Sequence, residues 1–168
     1  MLIVKKNEAE SIEKDEKDQS LREIRENGKG YLTIGSKQQI RVGRDFKAPY
    51  ICTVLILNRE FVNINDLLPS DFRRLGYSSK AEYLAQDYNQ RNPSPHRVRY
   101  SFVRVGRVLE FIEFVDWTPK AFEYLVDWVG VCPKVFEGVE KDLIFEGCDI
   151  EDLEEGFLSI QANLKELL

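Results

Sequence analysis

A carboxylate, an amide and a group of cations are the side chains in this sequence that could do chemistry. Lys37, Arg41 and Arg44 stand close together in Gly35-Ser36-Lys37-Gln38-Gln39-Ile40-Arg41-Val42-Gly43-Arg44. Cations grouped in this way can line a cleft and neutralise phosphate charge, although Lys and Arg are also ordinary on a solvated strand edge. Gln39 can hydrogen-bond a base edge, and so can Glu82, which can also act as an acid or base. Glu82 sits in Ser79-Lys80-Ala81-Glu82, a spacing that equally suits a capping box. Arg97, Arg99 and Arg104 offer contacts to backbone phosphates, with Arg104 on the opposite face of a regular strand from the other two. Tyr77 and Tyr100 can stack on bases, and Tyr100 also fits a packed core. His96, the single histidine, lies in a Pro-flanked loop and reads as an exposed loop residue. A Ser-His-Asp triad or a His-rich metal site would need partners that are missing, so no metal and no cofactor are expected.

Charge is segregated along the chain. Residues 29–107 hold 14 Lys/Arg and 6 Asp/Glu, a net of +8. The rest holds 10 Lys/Arg and 23 Asp/Glu, a net of −13, and together they give −5. The acidic pI of about 5.1 thus hides a basic middle, which attracts phosphates. Residues 118–168 carry 4 basic and 12 acidic side chains. They read as a solvated helical face, a surface for a basic protein partner, or a cover that competes with nucleic acid for the basic middle.

At 168 residues with 43% hydrophobic side chains, the chain has the material for one cored domain with extensions. No run of 18 apolar residues is available to span a membrane. The start, MLIVKKNEAESIEKDEKDQ, turns acidic too soon for a secretory signal. Cys52, Cys132 and Cys148 lack ligand-like spacing and read as reduced thiols of a cytoplasmic protein.

The elements that must position these groups follow from pattern. Residues 7–27 have only a thin apolar stripe, Ala9, Ile12, Leu21 and Ile24, which predicts a solvated helix or a partly disordered arm. Strands are predicted at 31–34, 39–42, 50–57 and 61–64. Pro69 opens a short helix that Gly76 closes, and the Ser79 box opens another with Ala81, Leu84, Ala85 and Tyr88 on one face. Residues 97–105 alternate, with Val98, Tyr100 and Phe102 inward and a basic outer face. Gly106 is a turn and 108–115 a return strand. Thr118-Pro119 starts a helix with Phe122, Leu125, Val126 and Val129 on its core face, ended by Gly130. Asp149 caps a last helix striped by Leu153, Phe157, Ile160, Leu164 and Leu167. Trp117 and Trp128 are expected to pack helix onto barrel.

Two stretches resemble the ASCH family of PUA-like barrels. Gly35–Arg44 is similar to the family's Gly, Lys and Thr leading into Ile-Arg. Leu67-Leu68-Pro69-Ser70-Asp71-Phe72-Arg73-Arg74-Leu75-Gly76-Tyr77-Ser78-Ser79-Lys80-Ala81-Glu82-Tyr83-Leu84 is similar to its helical insert. The resemblance covers roughly residues 30–115. It implies an α+β protein with a small β-barrel and inserted helices: a charged arm at 1–28, the barrel at 29–116 and an acidic helical extension at 117–168. It also implies action on RNA or modified nucleosides. Some members resemble amidohydrolases of acetylcytidine that use a Lys, a Thr and a Glu. Here the Thr position is Gln39, the Lys position is Ser36 with Lys37 one place on, and the Glu matches Glu82. Lys37 and Glu82 are thus the catalytic candidates, but Gln39 cannot replace a nucleophilic hydroxyl. The expected function is binding of RNA or a nucleotide-like ligand through Lys37, Gln39, Arg41, Arg44, Glu82, Arg97 and Arg99. An ASCH-type hydrolase and a protein adaptor are the alternatives.

Overall fold

The computed structural model describes residues 2–25, 30–43, 49–128, 133–139 and 150–168. The chain divides into two compact units, Met1–Arg104 and Val105–Leu168.

The first unit is built on one mixed sheet. Its elements are β1 (Leu2–Val4), α1 (Lys6–Glu13), β2 (Gln19–Glu23), β3 (Lys37–Val42), β4 (Tyr50–Asn63), α2 (Pro69–Arg74), α3 (Lys80–Leu84), α4 (Asp87–Arg91) and β5 (His96–Arg104). The strand order is β1-β3-β4-β5-β2, with β1 parallel to β3 and the other pairs antiparallel. The sheet curls into a half-barrel, which leaves β1 and β2 as its two edges. Register irregularities at Ile40/Arg41 and Ile56/Asn58 mark β-bulges, which add local bend to a strand.

Period-2 alternation sorts the side chains into two cores. Inside the curl, Leu2, Val4, Ile40, Val54, Ile56, Val98, Tyr100 and Phe102 pack with Ala9 and Ile12 of α1. Outside it, Leu21 of β2 packs with Ile64, Phe72, Leu75 and Tyr83, so α2 and α3 cover the outer face. Local capping starts these short helices. Glu8 accepts the Lys5 N–H at 2.9 Å and Asp71 accepts the Leu68 N–H at 2.8 Å, each satisfying an otherwise orphaned donor. Gly76 ends α2 at φ 83°, and a Cβ there would press to 3.3 Å from the Lys17 side chain. Glycine therefore answers both the left-handed turn and the close approach.

The segment expected as a charged, helical or partly disordered arm does contain a helix, α1, on the stripe of Ala9 and Ile12, but it is part of the folded unit. Leu2–Val4 and Gln19–Glu23 are strands of the sheet, and Ala9 and Ile12 are buried. Residues 31–34 lie outside the strands, and 61–63 continues β4 before a 3-10 turn at Ile64–Asp66. The predicted helical face Ala81, Leu84, Ala85 and Tyr88 is exposed. The segment breaks into α3 and α4, which bury Tyr83 and Asn89 instead.

The second unit is helical: α5 (Val105–Ile112), α6 (Pro119–Trp128), a 3-10 turn at Pro133–Phe136 and α7 (Ile150–Leu167). The predicted turn at Gly106 and return strand at 108–115 are therefore corrected to α5. Its apolar residues follow helical spacing: Val108 and Phe111 are buried, and Phe111 meets Trp128 and Phe157 edge-on at 5.2 and 5.5 Å. Ala121, Leu125 and Trp128 are buried on α6, whereas Val126 is exposed. Val129, Gly130 and Asp149 lie outside the described residues. On α7, Leu153, Phe157, Ile160 and Leu164 are buried as the stripe predicts, while Glu154, Glu155 and Glu166 face solvent. Trp117 is half-buried and packs on Phe122 and Phe157, while Trp128 is buried against Phe111, so both tryptophans pack within the helical unit. No helix among the described residues is long and apolar enough to cross a membrane.

Candidate functional site

The predicted site residues divide into exposed and committed groups. Lys37, Gln39 and Arg41 share one face of β3, opposite the buried Ile40. Lys37 and Gln39 are exposed and Arg41 half-buried, and the Gln39 Oε1 accepts from the Arg41 Nε and Nη2 at 3.3 and 3.2 Å. Arg44 lies outside the described residues. Glu82 is exposed at the start of α3, where it accepts the Ser78 hydroxyl at 2.6 Å and the Ser78 N–H at 2.7 Å. Those bonds hold its carboxyl below the usual range. Ser79 Oγ caps the Glu82 N–H at 3.2 Å. A carboxyl kept ionised at a helix cap is a poor proton donor near neutral pH.

The arginines of β5 have internal partners. Arg97 is 1% exposed, and its guanidinium donates to the carbonyls of Asn92, Ser94 and His96, which pins the loop before the strand. Arg99 donates to Glu60 at 2.7 Å and to Asp71 at 2.8 Å, tying β5 to β4 and α2. Arg104 pairs with Asp15 through two bonds. The expected basic outer face of β5 is therefore covered: Val98, Tyr100 and Phe102 face the inner core as predicted, but Arg97 and Ser101 are buried too. Tyr100 is 2% exposed and its hydroxyl accepts the Leu32 N–H at 3.2 Å. His96 is exposed at the start of β5.

A cationic and aromatic site lies elsewhere, at the seam where the half-barrel stays open. Arg22 of β2 reaches across to β1 and donates to the Ile3 carbonyl at 3.2 Å. A cavity lies on each side of that bridge, and both are lined by Ile3, Arg22 and Tyr88. One, of about 370 Å³, is walled by Lys5, Glu8, Lys17, Tyr77, Tyr83, Gln86 and Asn89. The other, of about 290 Å³, is walled by Arg25, Tyr31, Leu32 and Tyr100 together with Glu23. Among the described residues, the seam thus combines four cations with five tyrosines.

Each wall has a structural reason. Lys17 is buried, bonded to Glu8 at 2.8 Å and to the Leu75 carbonyl, with its ammonium 5.5 Å from the Tyr77 ring centroid. Burial pushes its ammonium pKa down, and the Glu8 charge only partly restores it. For Glu8, burial acts to raise the carboxyl, but the Lys17 charge and the bonds from Lys17 and Lys5 outweigh it and hold it low. Burial and the Glu8 charge push the Tyr77 hydroxyl well above its usual range, so it stays protonated. Tyr77 and Tyr83 meet edge-on at 5.3 Å. Lys5 donates to the Gln86 Oε1 at 2.8 Å, which joins α1 to the α3–α4 corner. Tyr83 and Asn89 are buried in this wall, and the Asn89 Nδ2 donates to the Tyr83 carbonyl at 2.5 Å.

Two predicted residues adjoin this seam. Arg41 is the register partner of Ile3, and Glu82 precedes Tyr83 in α3. Arg22, Arg25, Tyr31 and Tyr88 were not anticipated. For Arg22 the sequence signals were the apolar triplet Leu2-Ile3-Val4 and the short alternation in Gln19-Ser20-Leu21-Arg22-Glu23, while Tyr31 and Tyr88 fell in a predicted strand and on a predicted helix face with nothing to join them. Comparison with known protein families, characterised proteins and solved structures finds no match to this chain.

Proposed function

We propose that the chain binds RNA or a nucleotide-like ligand in the paired cavities at the β1–β2 seam. The observation that carries this reading is that two cavities meet at one arginine and one tyrosine, Arg22 and the partly exposed Tyr88. Arg22, Arg25 and Lys5 supply positive charge for phosphate, and Tyr88 offers a ring face for a base. The half-barrel with helices inserted between β4 and β5 is in keeping with the PUA-like type that the sequence resembles. Arg41 and Glu82 extend the site at its rim, with Lys37 and Gln39 farther along β3. The hydrolase reading has less support, since Gln39 has no nucleophilic hydroxyl and the Glu82 carboxylate is engaged by the Ser78 hydroxyl and N–H.

The test is an anisotropy titration of labelled single-stranded RNA across salt. Three engaged cations give a log–log salt slope of about −2. Arg22→Ala is expected to weaken binding and to make the slope less negative by about 0.7. Binding that ignores salt, or that Arg22→Ala leaves unchanged, contradicts the reading.

A further inference from the structure

The cavity on the Tyr31 side does not end at its own wall. Across the β4–β5 ladder, Arg59 is the partner of Tyr100 and Phe61 of Val98, so Arg59 and Phe61 share the face that carries Tyr100. Val98 and Tyr100 are buried on that face, yet Phe61 is 62% exposed. Its ring is held rather than loose: Tyr31 meets it edge-on with centroids 5.9 Å apart. The Arg59 guanidinium carbon lies 5.7 Å from the Tyr31 centroid. Tyr31 is in turn fixed by its hydroxyl, which accepts the Arg25 N–H at 3.0 Å. An exposed aromatic face held by a neighbour, with a cation beside it, matches a nucleobase and its phosphate. Tyr31 belongs to both places, since it lines the cavity and buttresses Phe61.

We propose that Phe61 and Arg59, buttressed by Tyr31 of the cavity wall, form a second base-stacking subsite outside the cavities. The ligand is then a single strand of several nucleotides, running from the seam over Tyr31 onto β4. This rests on the nucleotide reading above and adds the ligand's length and path. A mononucleotide fills the seam alone, whereas a strand reaches both places.

The experiment compares uridine monophosphate with a labelled oligouridine of about four to eight nucleotides on the full chain. Phe61→Ala is expected to weaken the oligonucleotide about 5- to 20-fold, the effect of losing one stacked base. It should leave uridine monophosphate unchanged, while Phe61→Trp keeps oligonucleotide binding. Arg22→Ala should weaken both ligands. Because Phe61 is exposed, the variant is expected to fold, and its thermal unfolding checks this. If Phe61→Ala leaves the oligonucleotide unaffected while Arg22→Ala weakens it, the second subsite is overturned and the seam reading stands. If Phe61→Ala weakens both ligands alike, Phe61 belongs to the seam cavity and a separate subsite is overturned. If the wild-type chain binds neither ligand, both readings fall.

Discussion

Strand β5 and the β1–β2 seam both carry arginines within the first unit, and they use them differently. On β5, Arg97 is held by three carbonyls and Arg99 by two carboxylates, while Arg104 is held by Asp15. At the seam, Arg22 makes one bond to a carbonyl and borders two cavities. Basic residues in a sequence are therefore not equivalent. Their availability depends on which carboxylates the fold brings to them, and here the N-terminal segment supplies Asp15 for Arg104 and Asp18 for Arg74. The excess of +8 over residues 29–107 is in part answered by acids that lie outside that span in sequence.

The largest expected effect concerns the pair beneath the seam. Glu8→Gln leaves the Lys17 ammonium buried without its charge partner, a loss of about 3–5 kcal/mol of stability measurable by denaturant or thermal unfolding. The pH dependence sharpens this. The fold holds the Glu8 carboxyl below its ordinary value of 4.5, so its stabilisation is fully present above that pH and lost as pH falls through the lowered value. The stability gap between wild type and Glu8→Gln should therefore narrow on acidification from neutral pH. A gap that widens would break the assignment.

Next comes Arg99→Ala, which strands Glu60 and Asp71. It should lower stability by about 2 kcal/mol while leaving RNA affinity per folded molecule unchanged. An affinity loss without a stability loss would place β5 with the seam. Arg22→Ala should do the reverse, reducing affinity about tenfold, or about 1.4 kcal/mol, with little change in unfolding. Smallest is Lys37→Ala, an exposed change on β3, expected to alter affinity by no more than about twofold through diffuse electrostatics.

Long, well-patterned elements were legible in the sequence. The apolar run at 50–57, the alternation at 97–102, Pro69 and Gly76 around α2, and the stripe of α7 all fold as their periods dictate. Short elements were not. β1 has only 3 residues and β2 only 5, too few for a period to show, and their strand character comes from hydrogen bonds to β3 and β5. Val105–Ile112 is rich in β-formers, yet Phe111 finds Trp128 and Phe157 around it, and packing overrides propensity. The same reason hid the seam. Arg22 on β2 and Tyr88 on α4 are 66 positions apart, and only the tertiary fold brings them to one place. Glu82 as a cap was readable because its partners, Ser78 and Ser79, are adjacent in sequence.

The most direct test of where the ligand binds is photo-crosslinking of a 4-thiouridine-containing single strand to the full chain, with the attached peptides mapped by mass spectrometry. The account predicts attachment at Tyr31, Tyr88 and Phe61, and loss of the Tyr88 attachment in Arg22→Ala. Attachment confined to Lys37–Val42, or to the helical unit from Val105 onward, would contradict it.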